Sequence, residues 1–181
     1  MPVWLIVILS CLGVVLGIWL ISVIIGVIFL FVNKRQIHRI EVAINIILAQ
    51  KYDVSIVLAK FLYENKIDLS SKLKTNLKLG DKLNFASFST LERKSIALDI
   101  EELTSELIEI AKKAELEDKK RLVTLMNSID DVEKQYRHEI ISYNNKVWAY
   151  NYWINFLPFK PISKLLRLKE KNQMKEIIKE K

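Results

Sequence analysis

Proline and glycine are nearly missing from most of this chain. Its 181 residues include three prolines and four glycines. No proline occurs between Pro2 and Pro158, and Gly80 is the only glycine after Gly26. Sheets and mixed folds use turn residues far more often than this, so the body is expected to be all-α. One glycine in the body also leaves no glycine-rich loop to cradle a phosphate. Cys11 is the single cysteine, which excludes a disulfide framework. The preceding Ile8-Leu9-Ser10 faintly suggests a lipoprotein box, but nothing basic comes before it and the apolar run continues past it. Cys11 therefore reads as a membrane-facing side chain.

Catalytic residue sets are also scarce. His38 and His138 are the only histidines, and neither has a glutamate three residues before it, as an inward-facing bundle metal site would require. The acidic pairs Glu101-Glu102 and Asp130-Asp131 are adjacent and diverge on a helix, so they read as solvated faces. No nucleophile–base pair or metal set stands out. The expectation is a protein that is not an enzyme and carries no cofactor.

Charge is absent from Val3 to Val32. About 20 helical residues cross a bilayer core, so this run suffices, and it is too long for a cleavable signal. Trp4 suits one interface; Lys34, Arg35 and Arg39 mark the other. The positive-inside rule then puts the N-terminus outside and the body in the cytoplasm of a single-pass cell-membrane protein. Gly13-x-x-x-Gly17 has the spacing of a helix-dimerisation face, which admits a homo-oligomer as well as ordinary small-residue spacing.

In the body, Ile37, Ile40, Ile44, Ile47, Val54, Leu58 and Phe61 recur in helical steps, broken by Lys51, with Ile46, Leu48, Val57 and Leu62 widening the face. This helix is either continuous with the anchor or separate from it. Leu69, Leu73 and Leu77 suggest a short helix ended by Gly80, and Ser89-Thr90-Leu91-Glu92 reads as a capping box. Ile96, Ile100, Leu103, Leu107, Ile110 and Ala114 form the next seam. Glu115 to Lys120 allows a tight turn, with one continuous helix as the alternative. A last helix then runs from about Glu117 to Leu157 through Leu122, Leu125, Ile129, Val132 and Tyr136. The reading is one transmembrane helix (residues 1–33), an elongated antiparallel bundle of three or four helices (34–158), and a basic tail (159–181).

The only internal repeat lies in that last helix. Tyr143-Asn144 returns as Tyr150-Asn151, with Val147 and Ile154 midway and Leu157-Pro158 closing. Seven residues are close to two turns, so Tyr143, Val147, Tyr150, Ile154 and Leu157 share one seam. Asn144 and Asn151 flank it, where an amide can bond across a helix interface. Pro158 stops the helix. A doubled Tyr-Asn ending in proline, behind an N-terminal anchor, resembles the LemA family. Ala43-x-Asn45-Ile46-x-Leu48-x-x-Lys51-Tyr52-Asp53-Val54 is similar to a second family stretch. Ser55-Ile56 stands where that stretch has proline, one basic residue is missing, and Leu157 replaces phenylalanine. The chain is thus identified as a divergent member over roughly residues 3–160. The resemblance implies a single-pass helical protein without an established biochemical activity.

Two further features bear on function. Trp148, Tyr152, Trp153, Phe156 and Phe159 crowd the end of the last helix, more aromatics than one bundle face can bury. Either a partner or a membrane interface covers them, or this end is central to the bundle. Lys160 to Lys181 then carries eight Lys or Arg against three Glu. Trp148, Tyr152, Trp153 and Phe156 are the candidate face for an unidentified protein partner. Lys160, Lys164, Arg167 and Lys169 are the candidate contacts to anionic lipid. Nucleic acid is disfavoured, since no groove-reading fold is present. The leading expectation is a non-enzymatic scaffold or adaptor that engages a protein at the bacterial envelope. The alternative is a peripheral lipid-engaging device built from the aromatic end and the tail.

Overall fold

The computed structural model describes residues 2–67, 69, 90–114, 118–156 and 159–174. Among these, every regular element is helical: α1 (Val3–Glu64), α2 (Thr90–Lys113), α3 (Lys119–Asn155) and α4 (Phe159–Leu165). The chain is all-α, with one helix near the N-terminus long and apolar enough to cross a membrane. The short helix expected over 69–79, the capping box at Ser89, and Leu157-Pro158 lie outside the described residues.

α1 is a single helix of 62 residues, so the apolar run and the first body helix are continuous. No proline or glycine interrupts it beyond Gly26. Asn33, at the edge of the apolar run, folds its amide back to donate to the Phe29 carbonyl (2.8 Å), so a polar group there leaves no unmet demand. At its other end Lys66 takes a left-handed φ of 59°. The Lys66 N–H donates to Tyr63 O and the Ile67 N–H to Leu62 O, the double bond pattern of a Schellman cap. α2 and α3 are separate helices. Asp118 caps α3 by accepting the Arg121 N–H at 3.0 Å, which fixes the start one turn more sharply than the charged stretch suggested.

Residues divide into two compact units. One, described over residues 40–142, buries Ile44, Ile47, Leu48, Leu58, Phe61 and Leu62 of α1 against Ala97, Ile100, Leu103, Leu107 and Ala111 of α2 and Ile129 of α3. Each fully buried aliphatic contributes about 1.5–3 kcal/mol of transfer free energy. Ile46 and Val57, expected on the packed face, are exposed: they sit outside the angular range that α2 and α3 cover. Within this unit Lys51 pairs with Glu133 and Glu64 with Arg121, in opposite chain order, so α3 runs against α1. Lys51 with Glu101 and Ser55 with Thr104 pair in the same order. α2 therefore runs alongside α1 in the same direction.

The other unit joins Met1–Arg39 with Tyr143–Met174. Between Val3 and Ile25 no residue is buried. Burial begins at Gly26 and recurs at Leu30, Asn33 and Ile37, steps of four, three and four that trace one helical stripe.

The left-handed Lys66 yields a stability prediction. A non-glycine residue there carries a strain of about 1 kcal/mol. Lys66→Gly should therefore raise the denaturant midpoint of the helical signal, by up to about 1 kcal/mol in stability, while Lys66→Val should lower it.

Candidate interaction site

The functional features gather at the junction of α3, α4 and the segment after them, all within the unit that contains the apolar run. α3 ends at Asn155, and the Phe159 and Lys160 N–H groups donate to Phe156 O, which turns the chain into α4. Pro161 falls in the first turn of α4, where its missing N–H is of no consequence. α4 buries Phe159 and Ser163, and the Ser163 hydroxyl sits 2.9 Å from Ile154 O, tying α4 to the end of α3.

Phe159 also explains Gly26. A Cβ built on Gly26 would lie 2.1 Å from Phe159 Cε1, so only glycine lets the ring lie against the α1 backbone. Trp153 packs between Phe29 and Phe159, with ring centroids at 5.3 Å and 5.2 Å. Trp153 is half-buried there, and its ring also meets Tyr152 and Phe156 edge-on, with centroids at 6.3 Å and 5.9 Å. Trp148, Tyr152 and Phe156 remain on the outside, 63%, 51% and 43% exposed. They stand four residues apart and stack in series, with centroids 5.7 Å and 5.6 Å apart. With Asn151, Asn155 and Gln173 they line an open groove of about 550 Å³.

The Tyr-Asn repeat divides its work. Tyr143, Val147, Tyr150 and Ile154 are at most 5% exposed and form the packing seam. The asparagines do not bond across a helix interface, as expected; they hold an extended stretch of main chain. Asn151 donates from Nδ2 to Lys171 O (2.8 Å) and accepts the Lys171 N–H at Oδ1 (3.0 Å). Asn144 treats Met174 in the same way, at 2.7 Å and 2.8 Å. The Tyr143 hydroxyl donates to Asn172 O (3.2 Å), and Asn155 Nδ2 donates to Glu170 Oε1 (2.6 Å). A primary amide carries a donor and an acceptor side by side, so each asparagine satisfies both polar groups of one residue, as a neighbouring strand would. Such bonds each contribute about 0.5–1.5 kcal/mol net. The segment reaches the clasp through a second Schellman cap, with Arg167 at φ 52° and the Leu168 N–H on Ser163 O.

The unit that contains residues 40–142 holds a charged node that sequence reasoning missed. Lys51, only 4% exposed, forms ion pairs with Glu101 of α2 and Glu133 of α3, so one ammonium joins three helices. Ser55 and Thr104 share a buried hydrogen bond of 2.9 Å one turn away. Partial burial opposes ionisation of Glu133, but the hydrogen bond and charge of Lys51, reinforced by Arg137, outweigh it and hold the carboxyl below its ordinary value of 4.5. Glu101 thus belongs to a convergent set, not to a solvated face. A lysine on an apolar seam was the available signal, since a buried ammonium requires carboxylate partners.

The remaining candidate residues are dispersed. Lys160, Lys164, Arg167 and Lys169 are all exposed, next to Leu165 and Leu166, themselves exposed. Gly13 and Gly17 face open space. His38 and His138 lie on the surface. Among the described residues no group of three or more His, Cys, Asp or Glu is placed to hold a metal ion. No protein-family model matches the chain, and neither the curated proteins nor the solved structures contain a match.

Two substitutions test these arrangements. Gly26→Ala should destabilise the aromatic packing by about 1–3 kcal/mol through overpacking, read as quenched or shifted Trp153 fluorescence, whereas Gly13→Ala and Gly17→Ala should not. Lys51→Met should destabilise by about 2–3 kcal/mol, below the full cost for a deeply buried pair because both carboxylates retain some exposure. Its pH dependence is diagnostic. The wild-type contribution of Glu133 is complete above pH 4.5 and lost as pH falls through the lower folded value. In Lys51→Met the two carboxylates repel, so acidification should leave stability unchanged or raise it. Chemical denaturation from about pH 3 to pH 7 would measure both slopes.

Proposed function

We propose that this chain is a membrane-anchored, LemA-like helical scaffold without enzymatic activity, which engages a protein partner at the cell envelope through Trp148, Tyr152 and Phe156. The observation that carries the reading is the serial stack of three exposed rings beside an open groove. Large rigid aromatics supply most binding energy at protein interfaces, and contiguous exposed apolar surface marks such sites. In this reading residues 3–25, which contain no buried position, cross the bilayer. At 1.5 Å per residue they reach about 35 Å, enough for a hydrocarbon core of about 30 Å. Lys34, Arg35 and Arg39 then lie on the cytoplasmic side. Gly13 and Gly17 would serve a homo-oligomer by allowing two spans to approach.

One observation favours the lipid-engaging alternative. Phe159 and Trp153 pack at Gly26 and Phe29, where burial along the apolar run begins. The exposed Lys160, Lys164, Leu165, Leu166, Arg167 and Lys169 follow in the same short stretch. Such a segment suits an anionic leaflet, with each basic residue adding about 1 kcal/mol near the surface.

A photocrosslinker at position 148, used in intact cells, separates the two. The scaffold reading predicts a discrete protein adduct that falls at least tenfold with Tyr152→Ala or Phe156→Ala while the helical spectrum is kept. Lipid adducts alone at position 148 would overturn it in favour of the alternative.

A further inference from the structure

α4 is fixed on α1 at a definite height. The Phe159 ring lies so close to Gly26 that a Cβ there would stand 2.1 Å from Cε1, and Trp153 is held between Phe159 and Phe29. The Ser163 hydroxyl sits 2.9 Å from Ile154 O, and Asn155 Nδ2 donates to Glu170 Oε1 at 2.6 Å. Residues 159–170 therefore gather around the end of α3, beside the part of α1 that begins at Gly26. That part, Gly26 to Val32, still belongs to the uncharged run. The first cation of α1, Lys34, stands eight residues beyond Gly26, about 12 Å along the axis. Lys160, Lys164, Arg167 and Lys169 are all exposed in this corner, together with Leu165 at 83% and Leu166 at 40%.

A helix from Val3 to Val32 is about 45 Å long, about 15 Å more than a hydrocarbon core, so the run alone leaves the depth of the span open. α4 closes it. With the core ending at Val32, four exposed cations would lie in hydrocarbon, where charge is strongly disfavoured. With the core ending at Gly26, they lie among headgroups. The opposite end agrees. Counting about 20 residues back from Gly26 reaches Ile6, which leaves Trp4 in the other interface, where tryptophan is favoured. From Val32 the same count reaches Leu12 and strands Val3, Ile6, Val7, Ile8 and Leu9 in water, each more than half exposed.

We propose that α4 and the basic residues around it form a seat for the anionic leaflet of the membrane, and that this seat, not the Lys34, Arg35 and Arg39 cluster, sets how deep α1 lies. Leu165 and Leu166 enter the acyl boundary. The charged heads of Lys160, Lys164, Arg167 and Lys169 meet lipid phosphates, with their long stems along apolar surface. Because the Phe159 ring fits only against a residue without a Cβ, α4 cannot slide along α1, so a contact made by α4 fixes the whole helix. The seat presupposes that α1 spans the bilayer, and its residues are distinct from the Trp148, Tyr152 and Phe156 stack.

The test uses the full chain with Cys11→Ser and one nitroxide-labelled cysteine at a time (Leu16→Cys, Ile24→Cys, Ile28→Cys, Val32→Cys or Leu165→Cys). The vesicles are phosphatidylcholine and phosphatidylglycerol mixed three to one, and depth is read from the access of oxygen and of a water-soluble nickel chelate to each label. Labels at positions 16 and 24 should report the core, and those at 28, 32 and 165 the headgroup layer, with 165 within one helical turn of 28 in depth. Lys160→Leu, Lys164→Leu and Arg167→Leu together should sink the position-28 label by about 5.4 Å, one turn. Lys34→Leu with Arg35→Leu should move it less than half as far. Discs excised from the vesicles by polymer should hold phosphatidylglycerol at twice its bulk share or more, and the α4 variant should lose that enrichment. A wild-type label at position 32 in the core overturns the proposal, as does a label at 165 in bulk water, a depth that follows the Lys34 and Arg35 pair, or equal enrichment in both chains. Should the α4 variant lose its helical spectrum, the wild-type depths at 28, 32 and 165 decide alone. A label at position 16 in water would remove the spanning reading itself, whereas labels at 16 and 32 both in the core would remove only the seat.

Discussion

The C-terminal part of this protein depends on a match of lengths. Two turns of helix and three residues of extended chain cover nearly the same distance. A side chain repeated every seven residues can therefore meet every third residue of a strand-like segment. Asparagine suits the task because its amide pairs with both main-chain groups of one residue. The tyrosines of the same repeat point elsewhere, into the core: Tyr143 and Tyr150 are 2% and 1% exposed. One heptad thus serves two interfaces, with its aromatic members packing the helix and its amide members holding the tail. Tyr143 takes part in both, since its hydroxyl reaches Asn172 O while its ring is buried.

Around that clasp, close approach governs the rest of the unit. Gly26 lets Phe159 lie on the α1 backbone, and this brings Trp153 against Phe29. Trp148, Tyr152 and Phe156 stay 63%, 51% and 43% exposed beside these contacts. Elsewhere, the interior of the other unit is specified by charge as well as by packing. Lys51 accepts only partners that bring carboxylates to it, which fixes the faces that α2 and α3 turn toward α1. A hydrophobic residue in its place would pack, but it would not select among helix registers.

Much of the architecture was legible in the sequence because helical periodicity and the lack of turn residues both report backbone state directly. The helical face of α1 through Ile44, Leu58 and Phe61 and the buried seam Tyr143, Val147, Tyr150 and Ile154 follow from spacing; the continuity of α1 with the apolar run does not. What spacing does not carry is the partner on the other side. Asn144 and Asn151 were recognisable as flanking amides, but nothing in their spacing said that an extended chain, not a helix, would face them. That depends on the turn at Arg167, where a non-glycine residue adopts a left-handed conformation. Trp153 could not be separated from Trp148 and Tyr152 for the same reason, since Phe29 of α1 and Phe159 of α4 together decide which aromatic is packed. Glu101 and Glu133 converge although 32 positions separate them, and adjacency along one helix gives no hint of this.

Amide hydrogen exchange on the full-length chain, read residue by residue, tests the central claim most directly. If the repeat holds the tail by its main chain, the Lys171 and Met174 amides should be protected more strongly than those of Asn172 and Gln173. Asn151→Ala and Asn144→Ala should then each abolish protection, at Lys171 and Met174 respectively. Uniformly fast exchange from residue 170 to 174, or protection indifferent to both substitutions, would contradict the account.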